Sequence, residues 1–238
     1  MPEPDYALII TCEHATNHIP RQYALLFGDR SMPMTDHSAF DPGAVDLARL
    51  LAKRFTAPCF EADVSRLLVD CNRSPGHRRL FCPRLEADER DALFNGHYLP
   101  FRQTALAAIK AAISNGRRAL HLSIHTFTPC LDGQVRRADI GFLYDPRRER
   151  EKAFCHRWLS ALNQMEPALR LRRNSPYRGV ADGFTTALRK IFTPHTYLGI
   201  ELEVNQRLIA GDEPDWPALQ QKIAASLATA VTASRGGR

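Results

Sequence analysis

The chain has 238 residues, which is enough for one sizeable hydrophobic core. Hydrophobic residues make up 44% of it and charged residues 24%, as in an ordinary globular protein, and no apolar run is long enough to cross a membrane. The formal net charge is +6, but the arginines occur as scattered pairs and form no basic stripe with interleaved aromatic residues. Neither nucleic acid nor a membrane is therefore an expected partner.

The N-terminus and the six cysteines favour a cytoplasmic protein. The opening residues, MPEPDYALII, are acidic where a signal peptide requires a basic segment. No two cysteines form a C-x-x-C pair, and several lie inside apolar runs, which predicts reduced thiols in the core.

Strand-like and helix-like segments alternate along the chain. Apolar, β-branched runs predict strands, and apolar residues at every third or fourth position predict helices. The predicted strands are 6–11, 58–62, 66–71, 119–124, 138–145, 168–173 and 196–204. The predicted helices are 43–55, 98–114, 146–165 and 214–234.

This alternation predicts an α/β fold, a three-layer α/β/α sandwich whose mostly parallel mixed sheet is covered by helices on both faces. The sequence contains no internal repeat, no low-complexity linker and no shift in composition. A single domain over residues 1–238 is therefore expected.

Four predicted strands end in side chains capable of metal or proton chemistry. The first ends in Glu13 and His14, and the strand 119–124 is followed directly by His125. The other two contribute Arg66, Asp70, Asn72 and Arg73, and then Glu201, Glu203 and Asn205 on one alternating face. Because ligands of open α/β sheets bind at the carboxyl ends of the strands, we expect these side chains to lie close together.

Each of these groups also has a simpler interpretation. A lone histidine after a strand is more often a hydrogen-bonded polar residue than a ligand, and Glu201 and Glu203 fit the solvated face of an edge strand equally well. Asp41 precedes a proline, where aspartate caps a helix as readily as it binds a metal. Asp36 and His37 lie in the loop before it. The coincidence of two histidines and several carboxylates at separate strand ends is what favours a site.

Two imidazoles and one carboxylate form the usual ligand set of a hydrolytic zinc ion and leave a position for water. The ion lowers the pKa of that water to near 7 and polarises a carbonyl, and a further glutamate serves as the general base. Arginine and asparagine side chains suit a substrate that bears a carboxylate.

The chain resembles the N-formylglutamate amidohydrolase family from about Leu8 to Ile209. Seven motifs carry this resemblance, in the family's order: TCEHATNHIP, HSAFDPGA, SRLLVDCNRS, SIHTFTP, IGFLYDP, NSPYRG and IELEVNQRLI.

The resemblance implies a phosphorylase/hydrolase-like α/β/α domain related to zinc carboxypeptidases and aspartoacylase. It implies hydrolysis of N-formyl-L-glutamate to formate and glutamate, a late step of histidine degradation, or removal of the acyl group from a related N-acyl amino acid. The expected cofactor is Zn²⁺, with another divalent metal as the alternative, and the expected partner is a small-molecule N-acyl amino acid.

The resemblance also implies a role for particular residues. The metal ligands are expected to be His14, Asp41 and His125, with Glu13 outside the ligand set and orienting His14. Lys190 stands where many relatives have histidine. The remaining expected roles are general base for Glu203, with Glu201 as the alternative, stabilisation of the oxyanion or a carboxylate for Arg66, and substrate binding for Asn72 and Arg73. Independently of the resemblance, Thr126 and Tyr177 are candidates for substrate binding, and a structured loop explains them equally well.

Two other functions stay open at this point. One is a zinc amidase or carboxypeptidase acting on a peptide-like or cell-wall substrate, which would share the metal ligands. The other is a non-catalytic protein that binds acidic small molecules through Arg66 and Arg73. The sequence does not set the oligomeric state.

Overall fold

The structure is a computed structural model that describes residues 6–28, 38–210 and 215–233; Asp36 and His37 lie outside these ranges. The strands are β1 (Tyr6–Cys12), β2 (Cys59–Glu61), β3 (Arg118–Phe127), β4 (Cys130–Leu131), β5 (Gln134–Val135), β6 (Ile140–Leu143), β7 (Leu171–Arg173) and β8 (Tyr197–Asn205). The α-helices are α1 (Ala44–Phe55), α2 (Ala87–Leu93), α3 (Leu99–Ser114), α4 (Glu149–Met165), α5 (Phe184–Arg189), α6 (Arg207–Ala210) and α7 (Trp216–Ala233). A 3₁₀ helix spans Arg21–Phe27, and a π-helical turn spans Phe94–Tyr98.

Six strands form one mixed sheet in the order β2-β1-β3-β8-β6-β7. The four neighbouring strands β2, β1, β3 and β8 run parallel to one another. Strand β6 pairs antiparallel to β8, and β7 runs parallel to β6. The short hairpin β4–β5 stands apart from this sheet. The predicted mostly parallel mixed sheet is confirmed.

Side-chain alternation along the central strands β3 and β8 builds two cores, one on each face of the sheet. Their even-numbered apolar residues, such as Leu122 and Leu202, share one core with α1, α4 and α7. Odd-numbered residues near the start of each strand, Ala119 and Tyr197, pack on the other face with α3 and α5. Most odd-numbered positions farther along the strands are polar, so the second face carries polar groups towards its carboxyl end: His121, Ser123, His125, Glu201, Glu203 and Asn205.

The segment 66–71 is not a strand of the sheet, contrary to the prediction. It forms turns with one antiparallel bridge, between Val69 and Phe81. Its backbone bonds locally, with the Asp70 N–H donating to the carbonyl of Leu80 at 2.8 Å.

Two further predictions need correction. The helix expected from residue 98 continues a helical stretch that begins at Ala87, because the π-helical turn joins α2 to α3 without a break. All six cysteines are free, but Cys130 is exposed and Cys59 is only half-buried, so these two are not core residues.

None of the helices in the described part of the chain is long and apolar enough to span a membrane.

We predict that Gly141→Ala in β6 destabilises the protein by about 1–3 kcal/mol or more. A Cβ atom at this position would lie 2.1 Å from the backbone oxygen of Ser175, so β6 or the chain beside it has to move. Gly96→Ala is the matched control because a Cβ there meets nothing within 4 Å. Urea unfolding of the two variants and the wild type measures the difference, and equal stability of both variants would contradict the prediction.

Candidate active site

Three buried side chains converge at the carboxyl ends of the central strands. His14 follows β1, Asp41 precedes α1, and His125 belongs to β3. The Nδ1 atom of His14 lies 3.2 Å from Oδ2 of Asp41, and the Nδ1 atom of His125 lies 2.9 Å from the same oxygen. One ligand atom from each residue lies within 4.8 Å of the other two. The structure therefore brings the three predicted metal ligands together.

A further carboxylate holds the other nitrogen of each imidazole. Nε2 of His14 lies 2.8 Å from Oδ1 of Asp70, and Nε2 of His125 lies 3.2 Å from Oε2 of Glu13. Such carboxylates fix the orientation of metal-binding histidines and leave the facing nitrogen for the metal. The prediction that Glu13 orients His14 is wrong, because its carboxylate contacts His125 instead.

The carboxylate of Glu13 is fixed by hydroxyl groups from two neighbouring strands. Thr11 in β1 donates to Oε1 at 2.6 Å, and Ser123 in β3 donates to Oε2 at 2.7 Å. Burial alone would raise the pKa of Glu13, but hydrogen bonding to His125 and the charge of that imidazole lower it to about 2. Glu13 is therefore an ionised group within the core.

Arg66 lies beside the three candidate ligands. Its Nη2 donates to Oδ2 of Asp70 at 3.0 Å, and its Nη1 lies 3.2 Å from Nδ1 of His14 and 3.5 Å from Oδ1 of Asp41. Burial would raise the pKa values of both aspartates, but the charge of His14 holds both well below their usual range, and Arg66 adds to this effect at Asp70.

The two glutamates of β8 face the same side of the sheet and have different surroundings. Glu203 is in register with His125, and Glu201 with Ser123. The Oε1 atom of Glu201 accepts a hydrogen bond from Thr185, whereas no described group donates to Oε2 of the buried Glu203. Burial raises the pKa of Glu203 to about 8. The alternative of a solvated edge strand is wrong, because β8 lies between β3 and β6.

Asn72 and Arg73 border the site on the side of α5. The N–H of Phe184 donates to Oδ1 of Asn72 at 2.7 Å, which turns the Asn72 Nδ2 towards His125, 3.4 Å from Nε2. Arg73 donates from Nη1 to the carbonyl of Asp182 at 3.0 Å. The amide group of Asn72 is thus directed towards the candidate ligands.

Two residues that the sequence analysis did not single out hold the backbone of this segment. The hydroxyl of Tyr98 donates to the carbonyl of Arg73 at 2.7 Å, and Nη1 of Arg102 donates to the same oxygen at 2.8 Å. The Arg102 guanidinium also lies over the rings of Phe184 and Tyr98, 4.3 and 5.0 Å from their centroids. Tyr98 and Arg102 are four residues apart on one helical stretch, and this spacing is the only sign in the sequence that the two side chains meet.

The other predicted residues lie farther from the ligands or have engaged side chains. The hydroxyl of Thr126 donates to the carbonyl of Pro42 at 2.9 Å, while its backbone N–H donates to Oδ2 of Asp41 at 3.3 Å. Tyr177 is 43% exposed. Lys190 is exposed and lines a separate cavity with Arg147 and other residues. Substrate binding by Thr126 and Tyr177 stays a prediction.

The comparison with protein families agrees with this arrangement of side chains. The model of the N-formylglutamate amidohydrolase family matches residues 6–210. The chain belongs to this family. It is accordingly an amidohydrolase, and the family identified from the seven motifs is confirmed.

Solved structures support the same fold for this amidohydrolase. A gene product from Agrobacterium tumefaciens is 29% identical, with 98% of this chain and 92% of that chain covered and a TM-score of 0.82. The N-formylglutamate amidohydrolase from Ralstonia eutropha is 17% identical, with 97% and 94% covered and a TM-score of 0.69. No protein with a curated description matches significantly.

The charge balance of the amidohydrolase site suits a divalent cation. With both imidazoles neutral, as metal ligands must be, the ionised carboxylates of Glu13, Asp41 and Asp70 outnumber the guanidinium groups of Arg66 and Arg73. An uncompensated buried charge is costly, and a cation at the three converging ligand atoms would lower that cost. The nitrogen and oxygen donors also match the preference of zinc.

We predict that Glu203→Gln stabilises the metal-free protein at pH 8 by on the order of 3 kcal/mol, and has little effect near pH 4.5. Between these pH values the unfolded state releases the Glu203 proton while the folded state retains it, because the folded pKa is about 8. Stability due to this group is therefore lost as the pH rises. Thermal unfolding at both pH values measures the gain.

Glu201→Gln is the matched control for this measurement. Its carboxylate already has a hydrogen-bond donor in Thr185, so the variant is expected to gain no stability at pH 8. An equal gain in both variants, or none in Glu203→Gln, would contradict the different surroundings of the two glutamates.

Proposed function

We propose that the protein is a metal-dependent hydrolase that removes the N-formyl group, or a related N-acyl group, from an acidic amino acid such as N-formyl-L-glutamate. The observation that carries this proposal is the convergence of His14, Asp41 and His125, with each imidazole held by a further carboxylate. The family is the second support. A cytoplasmic location and a place in histidine degradation stay predictions.

The metal is proposed to be zinc, with another divalent ion as the alternative. His14 and His125 would contribute one imidazole nitrogen each, and Asp41 a carboxylate oxygen. When bound, the ion supplies polarisation of the amide carbonyl and a lowered pKa for water at the open position.

Glu203 is the proposed general base. Its carboxylate lies in register with His125, and none of the described groups donates to its Oε2. In its ionised form, which a cation at the neighbouring ligands would favour, it would take the proton of the attacking water and return it to the nitrogen of the leaving amine, so that the amino acid departs as a neutral amine. Glu201 is the weaker candidate because Thr185 already occupies one of its oxygens.

Three polar side chains are proposed to bind the substrate around this base. Arg66 carries a positive charge beside the ligands, where it would stabilise the negative charge that develops on the carbonyl oxygen. The amide nitrogen of Asn72 and the guanidinium of Arg73 would hold the carboxylate of the amino acid. Fixing this carboxylate places the scissile amide within reach of Glu203.

We expect about one zinc ion per chain in the wild type and formate release from N-formyl-L-glutamate. His125→Ala should lose both, because it removes one of three ligands. His195→Ala, which changes an exposed histidine, is the control and should keep both. Elemental analysis and a formate assay on the same preparations measure the two quantities.

The outcomes separate the proposal from its rivals. Zinc without formate release would keep a metal hydrolase and discard this substrate, leaving a peptide-like or cell-wall amide as the next to test. A wild type that takes up no metal after reconstitution would favour a non-catalytic protein that binds acidic small molecules.

We expect Glu203→Gln to lower kcat by roughly 10²- to 10⁴-fold with zinc content unchanged, the usual effect of removing a general base. Glu201→Gln should lower it far less. Steady-state kinetics with elemental analysis of both variants test this assignment, and a Glu203→Gln protein with full activity would rule it out.

A further inference from the structure

Arg136 is anchored at the carboxyl ends of the two central strands. Its backbone N–H donates to the carbonyl of Pro129 at 2.8 Å, and its carbonyl accepts from Nδ2 of Asn205, the last residue of β8, at 3.2 Å. Its guanidinium lies 5.7 Å from the ring centroid of Phe127, the last residue of β3. Arg136 therefore contacts both strands where they end.

These anchoring residues lie next to the candidate site along the same strands. Phe127 and Asn205 are register partners, as are His125 and Glu203 two positions earlier. Because side chains two residues apart point to the same face, the four side chains share one face of the sheet. Two strand residues span about 6.6 Å, so Phe127 and Asn205, which Arg136 contacts, lie about that far beyond His125 and Glu203.

The charge of Arg136 has no carboxylate partner among the described residues. Its Nη1 donates to the hydroxyl of Tyr177 at 2.8 Å, and its guanidinium lies 5.0 Å from the centroid of that ring. Other arginines of the molecule pair with acids, such as Arg147 with Asp145 and Arg170 with Asp139. The two aromatic rings fix the Arg136 guanidinium while leaving most of its N–H groups for another acceptor.

We propose that Arg136 determines specificity by binding the side-chain carboxylate of the substrate amino acid, with Tyr177 holding the guanidinium in place. This inference rests on the proposed function, in which Asn72 and Arg73 hold the other carboxylate. Five bonds separate the acyl carbon of an N-acylglutamate from its side-chain carboxyl carbon, about 6 Å when extended. A guanidinium that binds this carboxylate therefore lies beyond the base and the ligands, on the side of the strand ends that Arg136 contacts.

The test compares Arg136→Met with Arg137→Met, a change of the exposed neighbouring arginine, on N-formyl-L-glutamate and N-formyl-L-glutamine. Arg136→Met should lower kcat/KM for the glutamate substrate by roughly 10- to 100-fold, mainly through KM, since it loses a charged hydrogen bond. Its kcat/KM for the glutamine substrate should stay within about threefold of the wild type. Arg137→Met should change neither, and zinc content should be the same in all three proteins.

Two results would overturn the inference. An equal loss on both substrates would make Arg136 a structural residue of the β4–β5 segment. No loss on either substrate would place Arg136 outside the substrate site.

Calorimetric binding distinguishes a failure of this inference from a failure of the proposed function. If the wild type cleaves neither formyl compound, the proposed function fails, and glutarate and butyrate become the probes. Tighter binding of glutarate than of butyrate by the wild type, abolished in Arg136→Met and kept in Arg137→Met, would support a carboxylate site at Arg136. Equal binding of the two acids by the wild type, or no binding of either, would overturn it.

Discussion

The parallel register between β3 and β8 is the constraint on which the site depends. It sets His125 beside Glu203 and, two residues earlier, Ser123 beside Glu201. The same alternation turns the intervening residues into the apolar core against α1, α4 and α7. A shift of one residue in either strand would move the polar side chains into that core, so burial of the apolar face also fixes the face that carries the candidate site.

The second requirement is that the buried carboxylates find positive partners. Asp41 faces both imidazoles, Asp70 holds His14, and Glu13 holds His125. Removing one member of such a network leaves another charge buried without its partner, which makes the arrangement cooperative. The carboxylate beyond each imidazole also accounts for why both Nδ1 atoms turn towards Asp41. Three separate segments of the chain thus bring together side chains that could hold a cation.

Local patterns in the sequence predicted the strands, the main helices and the residues that converge, because alternation and strand ends are local properties. They did not reveal which partner each side chain meets. Glu13 was expected beside His14 and instead reaches across to β3, a contact set by strand pairing. The turns around Asp70 were mistaken for a strand, since a short apolar run does not show whether it pairs with the sheet. The hydrogen bond from the Tyr98 hydroxyl to the carbonyl of Arg73 likewise depends on tertiary packing, which a local sequence pattern does not show.

X-ray absorption at the zinc edge of the zinc-loaded protein tests the central claim most directly. The account predicts two imidazole nitrogens at about 2.0–2.1 Å and carboxylate oxygen at about 2.0–2.2 Å in the wild type, and loss of the bound zinc in His125→Ala. Sulfur at about 2.3 Å, or zinc retained in this variant with an unchanged imidazole count, would contradict it. Such a result would mean that His14, Asp41 and His125 do not form the metal site.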